Sequence, residues 1–304
     1  MTGEAKWVSA HLFHQGDLTR LMVDGVRPLT AELEARELTT REFFVLRHWE
    51  GGPHIRLRVR PAGNPEDVER AITDRMRAFF TAHPSSDVLT AIQYARIAEA
   101  MRRIDPVQGP VVPRHPTDSI AFVPYRPEFG RYGQGEAMAA VERHFVESSR
   151  LAVELLARGL ASGRENAAAL SMLAVAWVAA EPDFDRLARM GTVWRPRAVA
   201  RRNGSRAPCP DGLQDHARAA LVSAVRMVGN PERLTGPGAL ATWTRSITTL
   251  RDTLSCLDAK PRHVLRVLDS CAHLICNRLG ISISRESLLR EILRHAVEQH
   301  ATRQ

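Results

Sequence analysis

Lysine is nearly missing from this chain of 304 residues: Lys6 and Lys260 are the only two among 42 basic side chains. The formal charge of +8 is therefore carried by arginine, whose planar fork matches carboxylates and phosphates in a bidentate way that lysine cannot. A GC-rich coding sequence would account for part of that excess. The charge favours acidic partners, yet it is scattered along the chain rather than gathered in a tail. No basic helix or aromatic ladder stands out, so direct nucleic-acid binding is not expected.

Cysteine is scarce too. Cys209, Cys256, Cys271 and Cys276 form no CxxC pair, and the spacing of the last two suits neither a zinc knuckle nor a redox couple. They read as plain thiols in a reducing compartment. Long apolar runs are also missing. The longest, Ala167 to Ala180, is interrupted by Ser171 and too short to span a bilayer. No charged-then-apolar signal opens the sequence. The expectation is a cytoplasmic protein with no membrane partner. Internal repeats and long linkers are absent from the pattern.

The N-terminal part carries the strand signals. Lys6 to Phe13 alternates loosely, and Glu42 to Trp49 is aromatic-rich. Gly51-Gly52-Pro53 punctuates a turn, and His54 to Arg60 then alternates strictly. Ile55, Leu57 and Val59 share one face; His54, Arg56, Arg58 and Arg60 share the other. The pair predicts a hairpin. Asp17 to Arg36 reads as two short helical pieces interrupted by Pro28. Asn64-Pro65-Glu66-Asp67 has the cap, N1 proline and acidic first turn of a helix reaching about Thr81. A second helix is expected over Asp87 to Arg103, a loop over Pro106 to Pro116, and a further strand at Ser119 to Val123.

Arg126 to Gln134 reads as an irregular connection. From Glu136 onward the pattern is helical, with Gly159 as a C′ stop. Further helices are expected near Glu165–Ala180, Asp183–Met190, Gly212–Val228, Gly238–Leu257, Pro261–Leu279 and Ser284–Gln299. Trp194 to Pro210, with five arginines and three prolines, is the most loop-like stretch. The fold class is α+β: an N-terminal, mainly antiparallel sheet layer and a predominantly helical C-terminal half. All of residues 1–304 are expected to form one domain.

Three clusters stand out as candidate chemistry. In the arginine strand, like charges recur about 7 Å apart along one face, so they repel unless an anion sits among them. The alternation alone fits an ordinary solvent-facing sheet surface slightly better than a site. The second cluster is Tyr125-Arg126-Pro127-Glu128-Phe129-Gly130-Arg131-Tyr132-Gly133. Its glycines at 130 and 133 allow positive φ, and a surface Glu128–Arg131 ion pair is its bland alternative. The third is Asp269, His273 and Asn277, one helical turn apart and on one face. An aspartate one turn before a histidine can orient the imidazole for proton transfer, although a lone histidine on such a face is more often structural.

In chain order these clusters resemble a known family. Phe43-Phe44-Val45-Leu46-Arg47-His48, Gly52-Pro53-His54-Ile55-Arg56-Leu57-Arg58, Tyr125 to Gly133, Glu142 with Phe145-Val146-Glu147-Ser148-Ser149, and His273-Leu274-Ile275-Cys276-Asn277-Arg278 look like the C-terminal elimination domain of lantibiotic dehydratases. The same domain occurs free-standing as a thiopeptide-type bacteriocin biosynthesis protein. The resemblance covers essentially the whole chain. Two departures occur: Gln134 replaces a usual glycine, and Leu46 and His48 flank Arg47 where Ile and Tyr are typical.

The resemblance implies a lyase in ribosomal peptide natural product biosynthesis. A separate glutamyl-tRNA-dependent protein would glutamylate Ser or Thr of a leader-bearing precursor peptide. This chain would then eliminate glutamate to leave dehydroalanine or dehydrobutyrine. Carried over by motif, Arg58, Arg131 and His273 are catalytic, with the acid or base role of His273 open. Arg56, His54, Tyr125, Glu128, Arg47 and Asn277 are substrate-binding. The resemblance calls for no metal or redox cofactor. A homodimer is left open.

Two rivals remain. Thiopeptide pyridine synthases resemble this domain but join two dehydroalanines in a formal [4+2] cycloaddition and expel the leader. A non-catalytic module would instead capture the leader peptide, with strand addition at a sheet edge as the natural mode.

Overall fold

The computed structural model describes residues 7–86, 88–104, 112–159, 164–189, 212–230, 234, 236 and 238–301. The expected loop at Trp194 to Pro210, with Cys209, lies outside the described residues. The chain forms two compact units, Met1–Pro127 and Glu128–Gln304.

The first unit is a four-stranded antiparallel sheet with helices. Its strands are β1 (Val8–Phe13), β2 (Thr39–His48), β3 (His54–Pro61) and β4 (Ser119–Phe122), in spatial order β2-β3-β1-β4. The hairpin is in register from Phe43↔Val59 to His48↔His54. Gly51 and Gly52 take φ of 84° and 108° in its turn, a region that favours glycine. Val8, Ala10, Leu12, Phe43, Val45, Ile55, Leu57 and Val59 are all buried. The helices α2 (Arg27–Ala35) and α3 (Pro65–Ala82) pack on the sheet. Asn64 caps α3 by accepting a hydrogen bond from the Glu66 amide, at 3.2 Å.

Pro28 does not interrupt the helical run as expected. The short α1 (Leu18–Arg20) continues through a π-helical segment, Leu21–Val26, directly into α2. The Arg27 amide bonds back five residues to the Met22 carbonyl. Pro28 lies at the second position of α2, directly after that π-helical segment. The second expected helix starts later, as α4 (Ala91–Ile104).

The second unit is helical, and the connection before it holds one helical turn, α5 (Phe129–Tyr132). Then follow α6 (Glu136–Ala157), α7 (Glu165–Ala180), α8 (Phe184–Arg189), α9 (Leu213–Gly229), α10 (Ala239–Cys256), α11 (Pro261–Arg278) and α12 (Ile283–Ala301). The Ala-rich apolar run is α7, with residues Met172 to Ala179 all buried. A helix apolar all round belongs in the centre, and α7 packs against α9, α10, α11 and α12. Among the described residues no helix is long and apolar enough to cross a membrane.

Asp118 secures the loop before β4. Its carboxylate accepts from the Ser85 amide at 2.8 Å, the Ser85 hydroxyl at 2.7 Å and His14 Nδ1 at 2.6 Å. Partial burial works to raise its pKa, but the Ser85 and His14 hydrogen bonds outweigh that and hold the carboxyl below its usual range. Asp118 sits at φ 55°, which Asn also tolerates. Asp118→Ala is expected to cost about 2–3 kcal/mol at pH 7 by urea denaturation, and Asp118→Asn less. Because the folded pKa is lowered, the wild-type advantage should hold above about pH 4 and shrink as pH falls further.

Candidate active site

Alternation along β3 puts His54, Arg56, Arg58 and Arg60 on the sheet face opposite Ile55, Leu57 and Val59. That face is not a simple solvated surface. Arg58 is only 6% exposed, and its guanidinium lies 5.5 Å and 5.4 Å from the ring centroids of Phe44 and Tyr125. Phe44 is the cross-strand partner of Arg58. Tyr125 meets Phe44 edge-on at 5.6 Å, and Trp7 does so at 4.8 Å. Tyr125 thus stands beside Arg58. Arg60 stacks on Trp7 at 4.6 Å and pairs with Glu42 at 3.2 Å.

Nearer the hairpin turn the face becomes imidazole-rich. His54 is fully buried and lies beside His11, Phe13 and His48 at centroid distances of 4.8, 4.5 and 5.3 Å. Its Nδ1 donates to the Gly52 carbonyl at 2.8 Å, which leaves Nε2 to accept from Arg56 Nε at 3.4 Å. Burial pushes the His54 pKa down to about 3; the Gly52 hydrogen bond opposes this, and the charges of Arg56 and Arg58 reinforce it. His11 and His48 are lowered likewise, to about 3 and about 2, with burial the first cause. His54 therefore supports Arg56 from behind. Arg47 is not brought to this face. It stands opposite Ile55 in the ladder and donates to Thr19 Oγ1 at 3.0 Å.

In the second unit, α5 is a single turn that places Glu128 and Arg131 side by side. Their ion pair is 3.1 Å long and both partners are exposed. Tyr132 next to them is buried; its hydroxyl meets Ser270 Oγ at 3.0 Å and its ring edge meets Phe145 at 5.4 Å. Burial pushes the phenol up to about 12. The positive φ values fall at Gly133, at 91°, and Gly135, at 56°, but not at Gly130. Gly130 lies inside the α5 turn. At Gly133 an added Cβ would come within 3.0 Å of Ala137 Cβ.

His273 lies on α11 with 44% of its side chain exposed. Its Nδ1 is 2.7 Å from Glu286 Oε2 on α12. The other oxygen, Oε1, accepts from Arg290 Nε at 2.8 Å, and Arg290 also pairs with Asp269. Burial would raise the Glu286 pKa, but the hydrogen bond from His273 and the charge of Arg290 prevail and hold it low. The expectation that Asp269 orients His273 is thus corrected: Asp269 serves Arg290, and Glu286 serves His273. Sequence reasoning missed Glu286 and Arg290. Their i, i+4 spacing on α12 is visible, but nothing local links them to α11. Asn277 is half-buried one turn beyond His273.

Arg278 is completely buried; its Nη1 donates to Ser148 Oγ at 3.1 Å, and its guanidinium lies 5.7 Å from the Phe145 ring. Cys271 and Cys276 are buried and Cys256 is exposed. Burial pushes the Cys271 thiol up to about 12, and Cys276 is raised as well. Among the described residues no group of three or more His, Cys, Asp or Glu is placed to hold a metal ion.

Residues 7–297 match the family described as lantibiotic biosynthesis dehydratase C-term. The chain belongs to that family. Comparison with curated protein sequences returns no match. Solved structures of like fold include the pyridine synthase TbtD from thiomuracin biosynthesis, at 18% identity and a TM-score of 0.74 over 98% of this chain and 100% of that one. TsrL follows at 17% identity and TM-score 0.65, over 98% and 95% of the two chains. The tRNA-dependent lantibiotic dehydratase MibB from Microbispora sp. 107891 gives 19% identity and TM-score 0.57, over 100% of this chain and 29% of its own. At these identities the likeness is one of fold.

This lantibiotic dehydratase C-terminal family member should lose stability between pH 6.5 and pH 5 through His54. The folded pKa near 3 lies below the unfolded value of 6.5, so protons favour the unfolded chain. The loss from His54 alone is about 2 kcal/mol at pH 5. Urea midpoints for His54→Gln should show a correspondingly shallower decline; an unchanged slope would mean that the folded protein protonates His54.

Proposed function

We propose that this protein is a lyase that eliminates glutamate from glutamylated Ser or Thr of a leader-bearing precursor peptide, leaving dehydroalanine or dehydrobutyrine. The observation that carries this is His273: a half-exposed imidazole held at one nitrogen by a buried carboxylate, in a chain of the lantibiotic dehydratase family. Such a ring has one nitrogen fixed and the other available for proton transfer. The family match spans both compact units, which supports treating residues 1–304 as one functional domain.

The step removes the Cα proton of the modified residue, forms the Cα=Cβ double bond from that electron pair, and breaks the Cβ–O bond. Glutamate departs through the freed carboxylate and carries a second one. Negative charge therefore develops at the peptide enolate and on the leaving group, and fixed donors stabilise both. Arg58 and Arg131 are assigned to that charge and His273 to the proton. Arg56, with His54 behind it, and Tyr125 beside Arg58 support the substrate. A separate glutamyl-tRNA-dependent protein supplies the glutamylated peptide, in the cytoplasm. The arrangement proposed for these residues needs no redox group.

The cycloaddition of two dehydroalanines with leader release is the second reading, favoured by the fold likeness to TbtD over nearly the full length of both chains. Mass analysis after incubation with a glutamylated precursor, and separately with one carrying dehydroalanines, distinguishes them. Loss of glutamate is the expected result. Ring formation with leader release would replace elimination by cycloaddition, and two unchanged peptides would favour a leader-binding module.

His273→Ala should lower kcat for elimination by about 10²–10⁴-fold while peptide affinity, measured by fluorescence anisotropy, stays within about two-fold. Arg131→Ala should weaken turnover through loss of charge stabilisation, by about 10²-fold. Full turnover in either variant would remove that residue from the mechanism.

A further inference from the structure

Accepting the proton-transfer role of His273, we infer that Glu286, itself fixed by the Arg290–Asp269 pair, is the positioning residue that locks the imidazole with its proton on Nδ1 and so makes Nε2 the working nitrogen. The geometry supporting this is continuous from α11 to α12. Glu286 is 5% exposed, so its carboxylate cannot satisfy itself with bulk water. Each oxygen is committed: Oε2 to His273 Nδ1 at 2.7 Å and Oε1 to Arg290 Nε at 2.8 Å. An ionised carboxylate has only lone pairs to offer. Nδ1 must then carry the hydrogen, and in the neutral ring Nε2 keeps its lone pair.

Arg290 makes this assignment rigid. It is buried, its Nε faces Glu286 and its Nη1 faces Asp269, so one guanidinium spans two carboxylates with separate nitrogens. The two oxygens of Glu286 are thus held by donors from two helices. Asp269, the nearer carboxylate in sequence, acts one step removed, through Arg290.

The lock also defines how one imidazole can serve the whole elimination. Nε2 accepts the Cα proton to give an imidazolium, whose second N–H still points at the Glu286 carboxylate. That ion pair stabilises the charged ring, and Nε2–H can then return the proton to the departing carboxylate or to water. Acid and base duties belong to the same atom, with Nδ1 never released.

Long-range 1H–15N correlation spectra of the full-length protein, labelled at histidine and assigned with His273→Ala, test the lock directly. At about pH 9, where an imidazole is neutral, wild-type His273 should show the Nδ1–H form. In Glu286→Leu it should pass to the Nε2–H form that free imidazoles prefer, while Glu286→Gln, which keeps a carbonyl acceptor, should retain Nδ1–H. Elimination assays should follow: more than ten-fold lower kcat in Glu286→Leu with KM within two-fold, and partial recovery in Glu286→Gln. A wild-type ring in the Nε2–H form would overturn the lock without any variant being needed. A Glu286→Leu protein that folds and turns over normally would overturn its positioning role. If the wild-type protein eliminates nothing, the spectra still decide whether Glu286 sets the tautomer, and the elimination proposal fails separately.

Discussion

A guanidinium taken out of water stays charged, so the protein around it must answer that charge. Arg58, Arg278 and Arg290 are all buried, and each is met by a different device. Around Arg58 stand the faces of Phe44 and Tyr125. Arg278 has the Ser148 hydroxyl and the Phe145 ring. Arg290 has two carboxylates, one on its own helix and one on α11. Lysine could shed its proton in such places. At these three positions arginine is therefore the suited cation.

The site residues inherit their positions from these answers. Tyr125 is where it is because Phe44 and Arg58 offer it a ring and a cation. Tyr132 is anchored between Ser270 and Phe145, and Arg131 is its neighbour in a single helical turn. His273 owes its orientation to a carboxylate that Arg290 holds. Of the side chains assigned to the proposed chemistry, His273 and Arg131 are half-exposed or exposed, whereas Arg58 is buried.

Period-two alternation was enough to read β3 and its hairpin, because side-chain direction in a strand follows from sequence parity. Parity says which residues share a face and nothing about how deeply that face is buried, so the 6% exposure of Arg58 was not legible. Arg47 illustrates the same rule from the other side: its odd position sends it away from Arg58. The helical half was legible in its elements for similar reasons, since α6 to α12 begin and end near their expected limits. The partner of His273 was not. A local rule favours Asp269 at i−4, and tertiary packing instead supplies Glu286 from the next helix. Pro28 does not break the run, and the π-helical segment just before it, Leu21–Val26, is invisible to a 3.6-residue period.

Burial also separates the two arginines assigned to carboxylate binding in their response to ionic strength. Arg131 is exposed beside Glu128, and at physiological salt an exposed charge is screened within about 8 Å. Its pull on an approaching carboxylate fades as salt rises. Arg58, at 6% exposure, is screened far less. Under the roles proposed for them, rising salt shifts the share of anion recognition from the loop arginine to the strand arginine.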